Sequence, residues 1–210
     1  MRETKEAKLA RLLEREKALL EAGATVAGID EVGRGPLAGP VVAACVAMRP
    51  GCWVPGVDDS KKLTEKRREA LYPLILQNSL YARTAWVWPG EIDALNILNA
   101  TRRAMEEAAR GLPGAIFLVD AVTGLDLPGA IESIVHGDAQ CYSIAAASIV
   151  AKVERDRYMV QLDARYPQYG FAQNKGYGTA QHMAALRECG PCPEHRKSFI
   201  RFLASDAPRR

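Results

Sequence analysis

The chain reads as an α/β domain on a sheet of about five strands, with a small helical extension toward its C-terminal end. Three observations predict this. Short apolar, β-rich runs alternate with longer segments of helical period as far as Val135. No turn-rich strand spacing follows Val135, which argues against a second sheet. What remains is a long helical run and a shorter one, broken by Pro and Gly.

Taken in order, residues 3–22 form a helix with Leu9, Leu12, Leu13, Leu19 and Leu20 on a rough stripe and Gly23 as its stop. Residues 26–30 are a short strand. Residues 40–48 are an apolar strand bounded by Pro and Gly. Residues 64–77 are a helix capped by Thr64 and basic on its exposed side. Residues 80–87 are strand-like, and 91–110 form one amphipathic helix ending at Gly111. Residues 115–119 and 130–135 are short buried strands. A long helix covers 143–165 and stops before Pro167, and a last one covers 179–188.

With 210 residues, 48% of them hydrophobic, the chain can bury one good core. A net charge of +3 permits a nucleic-acid partner without demanding one. No apolar run approaches the ~20 residues that span a bilayer, so no membrane partner is expected. The charged N-terminus is not a signal peptide. Five cysteines, an odd number, then point to a reducing cytoplasm rather than a disulfide scaffold.

Three motifs compete for the function. Gly33, Gly35 and Ala38 fit a dinucleotide-binding spacing after a strand, but that motif needs a helix to begin within the glycines. Here Pro36, Gly39 and Pro40 break any helix and a valine-rich strand follows, which makes a hairpin. Cys189 and Cys192 have redox spacing, but they follow a helix instead of preceding one, so a helix-ending turn is the simpler reading. A zinc site would recruit His195 and still lack a fourth ligand. Ser148 and Lys152 are spaced i, i+4, not the i, i+3 of acylating serine enzymes.

The third motif is a set of carboxylates at strand ends: Asp30 and Glu31, Asp120, and Asp138 just before the long helix. A lone strand-end Asp is commonly a turn or cap residue. Four acids at the ends of three strands are harder to explain that way. If they converge, mutual repulsion raises their pKa values unless cations neutralise them. Mg²⁺ and Mn²⁺ prefer such oxygen ligands, and a pair of ions suits phosphoryl transfer. Asp30, ending a central strand, is the candidate for a shared ligand.

The segments "GIDEVGRGPLAGPVVAA", "DDSKKLTEKRRE", "DALNILNATRRAM", "LVDA", "GDAQCYSIAAASIVAKVERD" and "NKGYGTAQHMAAL" resemble bacterial ribonuclease HII from about Val26 to Phe199. The resemblance implies a ribonuclease H-like fold with a mixed five-stranded sheet flanked by helices. The catalytic domain would cover residues 24–210, its helical extension beginning near 166, with an appended helix at 1–23. The implied activity is cleavage of RNA in RNA–DNA hybrids, and incision 5′ of single ribonucleotides in duplex DNA. The products would be 3′-hydroxyl and 5′-phosphate ends, and the cofactor Mg²⁺ or Mn²⁺, two ions in the working complex.

By motif, Asp30, Glu31, Asp120 and Asp138 would be the catalytic, metal-binding set. Gly33, Arg34 and Gly35 would meet the ribonucleotide 2′-hydroxyl through their backbone, and Tyr177 would sense the junction with the following deoxyribonucleotide. Lys61, Lys62, Lys66, Arg67 and Arg68 form the densest basic run. Within the matched motifs, Ser60, Lys61, Lys152 and Lys175 are the candidates for phosphate contact. Asn174 departs from the histidine expected before Lys175, so no metal or phosphate role is carried to it. A monomer is expected. A replication clamp is a further candidate partner, although the tail "SDAPRR" shows no clear binding motif.

Overall fold

The computed structural model describes residues 4–205. Helix α1 (Lys5–Glu21) is capped by the Thr4 side chain, which accepts from Ala7 N, and Gly23 at φ +80° follows its end. Glu3, where the expected helix begins, lies outside the described residues, as does most of the tail. Strands β1 (Val26–Val32) and β2 (Val41–Met48) pair antiparallel, so the segment with three glycines and two prolines between them joins a hairpin. Strand β1 continues through Glu31 and Val32, two residues past its expected end.

Helix α2 (Glu65–Asn78) has Thr64 as its cap and runs into β3 (Ser79–Val87). The single helix expected over 91–110 is instead two, α3 (Pro89–Leu95) and α4 (Ile97–Ala109). The break is at Asn96, which takes a left-handed φ of +66° and caps α4 by accepting from Asn99 N. Asparagine tolerates that conformation and offers a local acceptor, which apolar periodicity does not register. Strands β4 (Ile116–Asp120) and β5 (Ala130–Ile134) follow. After them come α5 (Tyr142–Arg165), α6 (Phe171–Asn174), α7 (Ala180–Cys189) and α8 (Phe202–Ser205).

The sheet order is β3-β2-β1-β4-β5, with β1 central, antiparallel to β2 and parallel to β4. It is the mixed five-stranded sheet expected. Strand β5 is mostly exposed, not buried, because it is an edge with one neighbour. The strands feed their two faces with a period of two. Ala27, Ile29, Ala43 and Cys45 pack with Ala104, Met105 and Ala108 of α4 on one face. Ala44 and Val46 pack with Ala146, Ile149 and Val150 of α5 and Leu12 of α1 on the other. The helical extension has its own small core of Tyr169, Phe171 and Leu186, shared with Met159 of α5 and Ala38 of the hairpin loop. This ties the loop after β1 to the extension.

Candidate active site

Strand β1 carries Asp30 and Glu31 toward the end where it enters the Gly33–Arg34–Gly35 turn. Its parallel neighbour β4 ends on Asp120. The chain re-enters that end of the sheet through a single 3-10 turn, Gly137–Ala139, which carries Asp138. One carboxylate oxygen from each of Asp30, Asp120 and Asp138 lies within 4.8 Å of the others. Among the described residues this is the group of acids, cysteines or histidines able to hold a metal. Asp30 and Asp138 are buried.

The electrostatics follow from that crowding. Burial, then repulsion from Glu31 and Asp120, hold the Asp30 carboxyl well above the usual carboxylate range. Asp120 is raised too, mainly by burial, although it accepts from Gly137 N at 2.8 Å. Burial also raises Glu31, against the pull of Arg34, whose Nη1 is 3.4 Å from Glu31 Oε1. Lys61 Nζ donates to Asp138 Oδ2 at 3.1 Å and brings a positive charge to the cluster. The donor set is carboxylate oxygen throughout, which suits a hard divalent cation such as Mg²⁺ or Mn²⁺.

The turn beside the acids is held from below. Arg196, fully buried, donates to Gly33 O at 2.6 Å, Arg34 O at 3.0 Å and Gly39 O at 2.8–2.9 Å. Arg155, also fully buried, donates to Pro40 O, Ala38 O and Lys175 O. Burial lowers the two guanidiniums to about 9 and about 10, so both stay charged at neutral pH. Gly33 sits at φ +92°, and a Cβ there would meet Arg155 Nε at 2.3 Å. The "KGYG" segment packs onto the same loop: Leu37 N donates to Gly176 O, and a Cβ on Gly35 would touch the Tyr177 ring at 3.5 Å. Tyr177 is exposed.

Sequence reasoning missed Arg155 and Arg196. Arg155 had a signal, since it stands on the buried stripe Ser148, Ala151, Met159 of α5 at helical spacing. Arg196 lies in an irregular segment and had none. Replacing Arg196 with Lys removes the planar fork and strands several buried carbonyls. It should cost roughly 2–3 kcal/mol of stability, read as a lower melting temperature.

The remaining expected residues divide. Lys61 reaches the acids. Ser60 is buried, with its N donating to Ser148 Oγ at 3.3 Å and its carbonyl accepting from Arg68. Arg68 is thus buried structure rather than part of the solvated basic face. Lys152 is half-buried and donates to Asp156 Oδ1 at 2.7 Å. Lys175 is half-buried with a left-handed φ of +51°, its Nζ donating to Ala172 O. Asn174 turns inward, bonding Tyr169 O and Gly176 N, which braces the turn that carries Tyr177. The cysteines are free. Burial raises the Cys192 thiol, the reverse of what a redox site needs. His195 spends its ring nitrogens on Cys192 and His182, within the extension.

The family model described as Ribonuclease HII matches residues 27–203. The chain belongs to this family. A ribonuclease HII from Caldanaerobacter subterraneus subsp. tengcongensis is 50% identical over 188 residues, covering 88% of this chain and 78% of that one. The crystal structure of ribonuclease H2 from Pyrococcus horikoshii OT3 superposes with a TM-score of 0.72 at 25% identity, covering 86% of this chain and 97% of that one. The PCNA:RNase HII complex from Archaeoglobus fulgidus gives 0.71 at 27% identity, with coverages of 88% and 97%. As a ribonuclease HII the chain has the ribonuclease H-like fold and is a metal-dependent nuclease that acts on RNA–DNA hybrids. No helix among the described residues is long and apolar enough to cross a membrane.

Proposed function

We propose that this enzyme, besides cutting RNA in hybrids, incises duplex DNA on the 5′ side of a single embedded ribonucleotide, leaving 3′-hydroxyl and 5′-phosphate ends. The observation that carries this reading is the adjacency of two unlike features. The braced Gly33–Arg34–Gly35 turn begins two residues after Glu31 and packs against the exposed Tyr177 ring. The 2′-hydroxyl is what marks a ribonucleotide in an otherwise ordinary duplex. A glycine turn lets backbone approach a sugar closely. With the carbonyls of Gly33 and Arg34 held by Arg196, the backbone N–H and C=O groups of the turn are set to meet the hydroxyl.

In this reading Asp30, Glu31, Asp120 and Asp138 would hold the metal, Asp30 being the candidate for a shared ligand. Two divalent ions, Mg²⁺ or Mn²⁺, supply Lewis acidity and positive charge at the scissile phosphate when bound. The chain's own part is to hold the carboxylates converged, at a raised pKa that bound cations would lower, and to set the sugar beside them. Lys61 swings from Asp138 to a phosphate oxygen; Lys152, Lys175 and the Ser60 segment shape the duplex-facing side. Tyr177 stacks on the sugar at the junction. Residues 24–210 act as the catalytic domain, in the cytoplasm, on nucleic acid undergoing replication or repair. Clamp docking comes to this chain from the likeness to the archaeal PCNA complex.

The test is a nicking assay on a duplex with one ribonucleotide, with and without Mg²⁺ or Mn²⁺, against an all-DNA control. Metal-dependent incision at the 5′ side of the ribonucleotide is expected. Cleavage only within long hybrids would sink the proposal. Tyr177→Ala should lower single-ribonucleotide incision about 10–100-fold, the worth of one stacking contact, while metal binding is unchanged. Equal selectivity in the variant would remove Tyr177 from the sensing role.

A further inference from the structure

Helix α1 lies outside the matched family model, yet it is bonded to the turn that carries Asp138 and to the start of the helix that follows it. Leu12, fully buried, packs it into the core beneath α5. Three polar anchors then reach toward the acid cluster. Lys8 pairs with Asp58, whose neighbour Asp59 accepts from Lys61 N; Lys61 in turn bonds Asp138. Arg11 Nη1 donates to the carbonyl of Ala139 at 2.9 Å, one residue past Asp138. Glu16, only 1% exposed, accepts from Ser143 N at 2.8 Å and Ser143 Oγ at 2.9 Å.

The last anchor is unusual. Helix α5 starts four residues after Asp138, and its own N-cap, Cys141, makes no capping hydrogen bond. The first-turn N–H groups of a helix need an acceptor, and a carboxylate there also favours the helix dipole. Glu16 provides both from another element, at the cost of burying an acid. Burial pushes its carboxyl up to about 7, against the hydrogen bonds from Ser143 and Tyr142. The segment that Glu16 secures is the start of α5, which directly follows the short turn that carries Asp138.

We propose that α1 is a strap that sets the position of Asp138 for metal binding, with Glu16 and Arg11 as positioning residues. This rests on the reading of Asp138 as a metal ligand. The strap holds the Asp138 turn at its far side through Ala139 and at the start of α5 through Ser143. Released, the turn keeps its sequence but not its register with Asp30 and Asp120.

The test uses the full chain and Mn²⁺ as probe, with unbound Mn²⁺ counted by electron paramagnetic resonance in the absence of nucleic acid. Glu16→Ala should weaken Mn²⁺ binding about tenfold, the usual cost of losing support behind a ligand. It should lower kcat while KM for the duplex holds. Glu16→Gln keeps an acceptor oxygen for Ser143 and should bind Mn²⁺ as the wild type does. Arg11→Ala, at an exposed residue, should weaken Mn²⁺ binding in the same direction, and it carries the test if Glu16→Ala fails to fold. Wild-type Mn²⁺ affinity in a folded Glu16→Ala or in Arg11→Ala overturns the strap. Wild-type affinity in Asp138→Asn overturns the ligand reading beneath it and leaves the two failures distinct.

Discussion

Asp30→Asn should abolish cleavage and, in a metal chelator at pH 8, raise the melting temperature. Asp30 sits on the central strand with its side chain buried, facing Asp120 and Asp138. An amide is a poor ligand for a hard cation, so turnover should fall roughly a thousandfold or more. The stability effect has the opposite sign. The folded-state pKa of Asp30 is raised well above the ordinary 3.8, so between the two values the folded chain binds more protons than the unfolded one. Stability is then lost as pH rises from the ordinary value toward the folded one, because the folded form must accept a buried, repelled charge. Asparagine carries no such charge. Each ~1 kcal/mol regained would show as roughly 2–4 °C in a chain of this size. The gain should shrink as pH is lowered toward 4 and reverse when Mn²⁺ is added to the wild type. Thermal melts with and without chelator at pH 5 and 8 check it. A variant that is inactive and also less stable at pH 8 would mean the carboxylate is a structural acceptor, not a strained ligand.

Gly28→Ala should damage the whole molecule. Gly28 is on β1, two residues before Asp30, where the start of α5 crosses the sheet. A Cβ there would lie 2.0 Å from the Ser143 carbonyl carbon and 2.2 Å from Ile144 N. Both are backbone atoms, so no rotamer change relieves the clash. Strand and helix would have to part by about an ångström or more, opening the close contact of α5 with β1. Overpacking of this kind costs on the order of 3 kcal/mol or more, a drop of roughly 6–12 °C or failure to fold. It would also carry the Asp138 turn away from Asp30, so residual folded protein should bind Mn²⁺ weakly. A melting temperature within about 2 °C of wild type would show that β1 and α5 do not approach this closely. This glycine is the packing counterpart of the α1 strap: one lets the start of α5 come down on β1, the other holds it there.

Both residues were visible in the sequence to different degrees. Asp30 stood out because an acid after the apolar run "VAGI" has no solubility reason to be there. Gly28 did not stand out, because a glycine within a strand reads as a weakness until the element above it is known. The same division runs through the rest. Asp120 and Asp138 were legible as strand-end acids, but they could equally have been caps, and Asp120 does accept from Gly137 N. Asn96 was hidden inside an amphipathic pattern that continues across the break. Lys152 was legible as a basic residue of a matched motif, but its pairing with Asp156 in a half-buried place was not.

By itself the sequence determined the five strands and the longer helices of this protein, apart from the break at Asn96, together with the hairpin that excludes a dinucleotide site and the residue types of a carboxylate cluster with a glycine turn beside it. These are local properties, set by periodicity, by proline and glycine stereochemistry, and by acids placed where burial is costly. Only the tertiary structure decided that three carboxylates share one site, that two buried arginines brace the turn, and that α1 grips the Asp138 loop. The reason is physical. Arg196 bonds Gly33 across 163 residues of chain, and Glu16 bonds Ser143 across 127. Periodicity tells whether a side chain is buried, and packing alone tells against what.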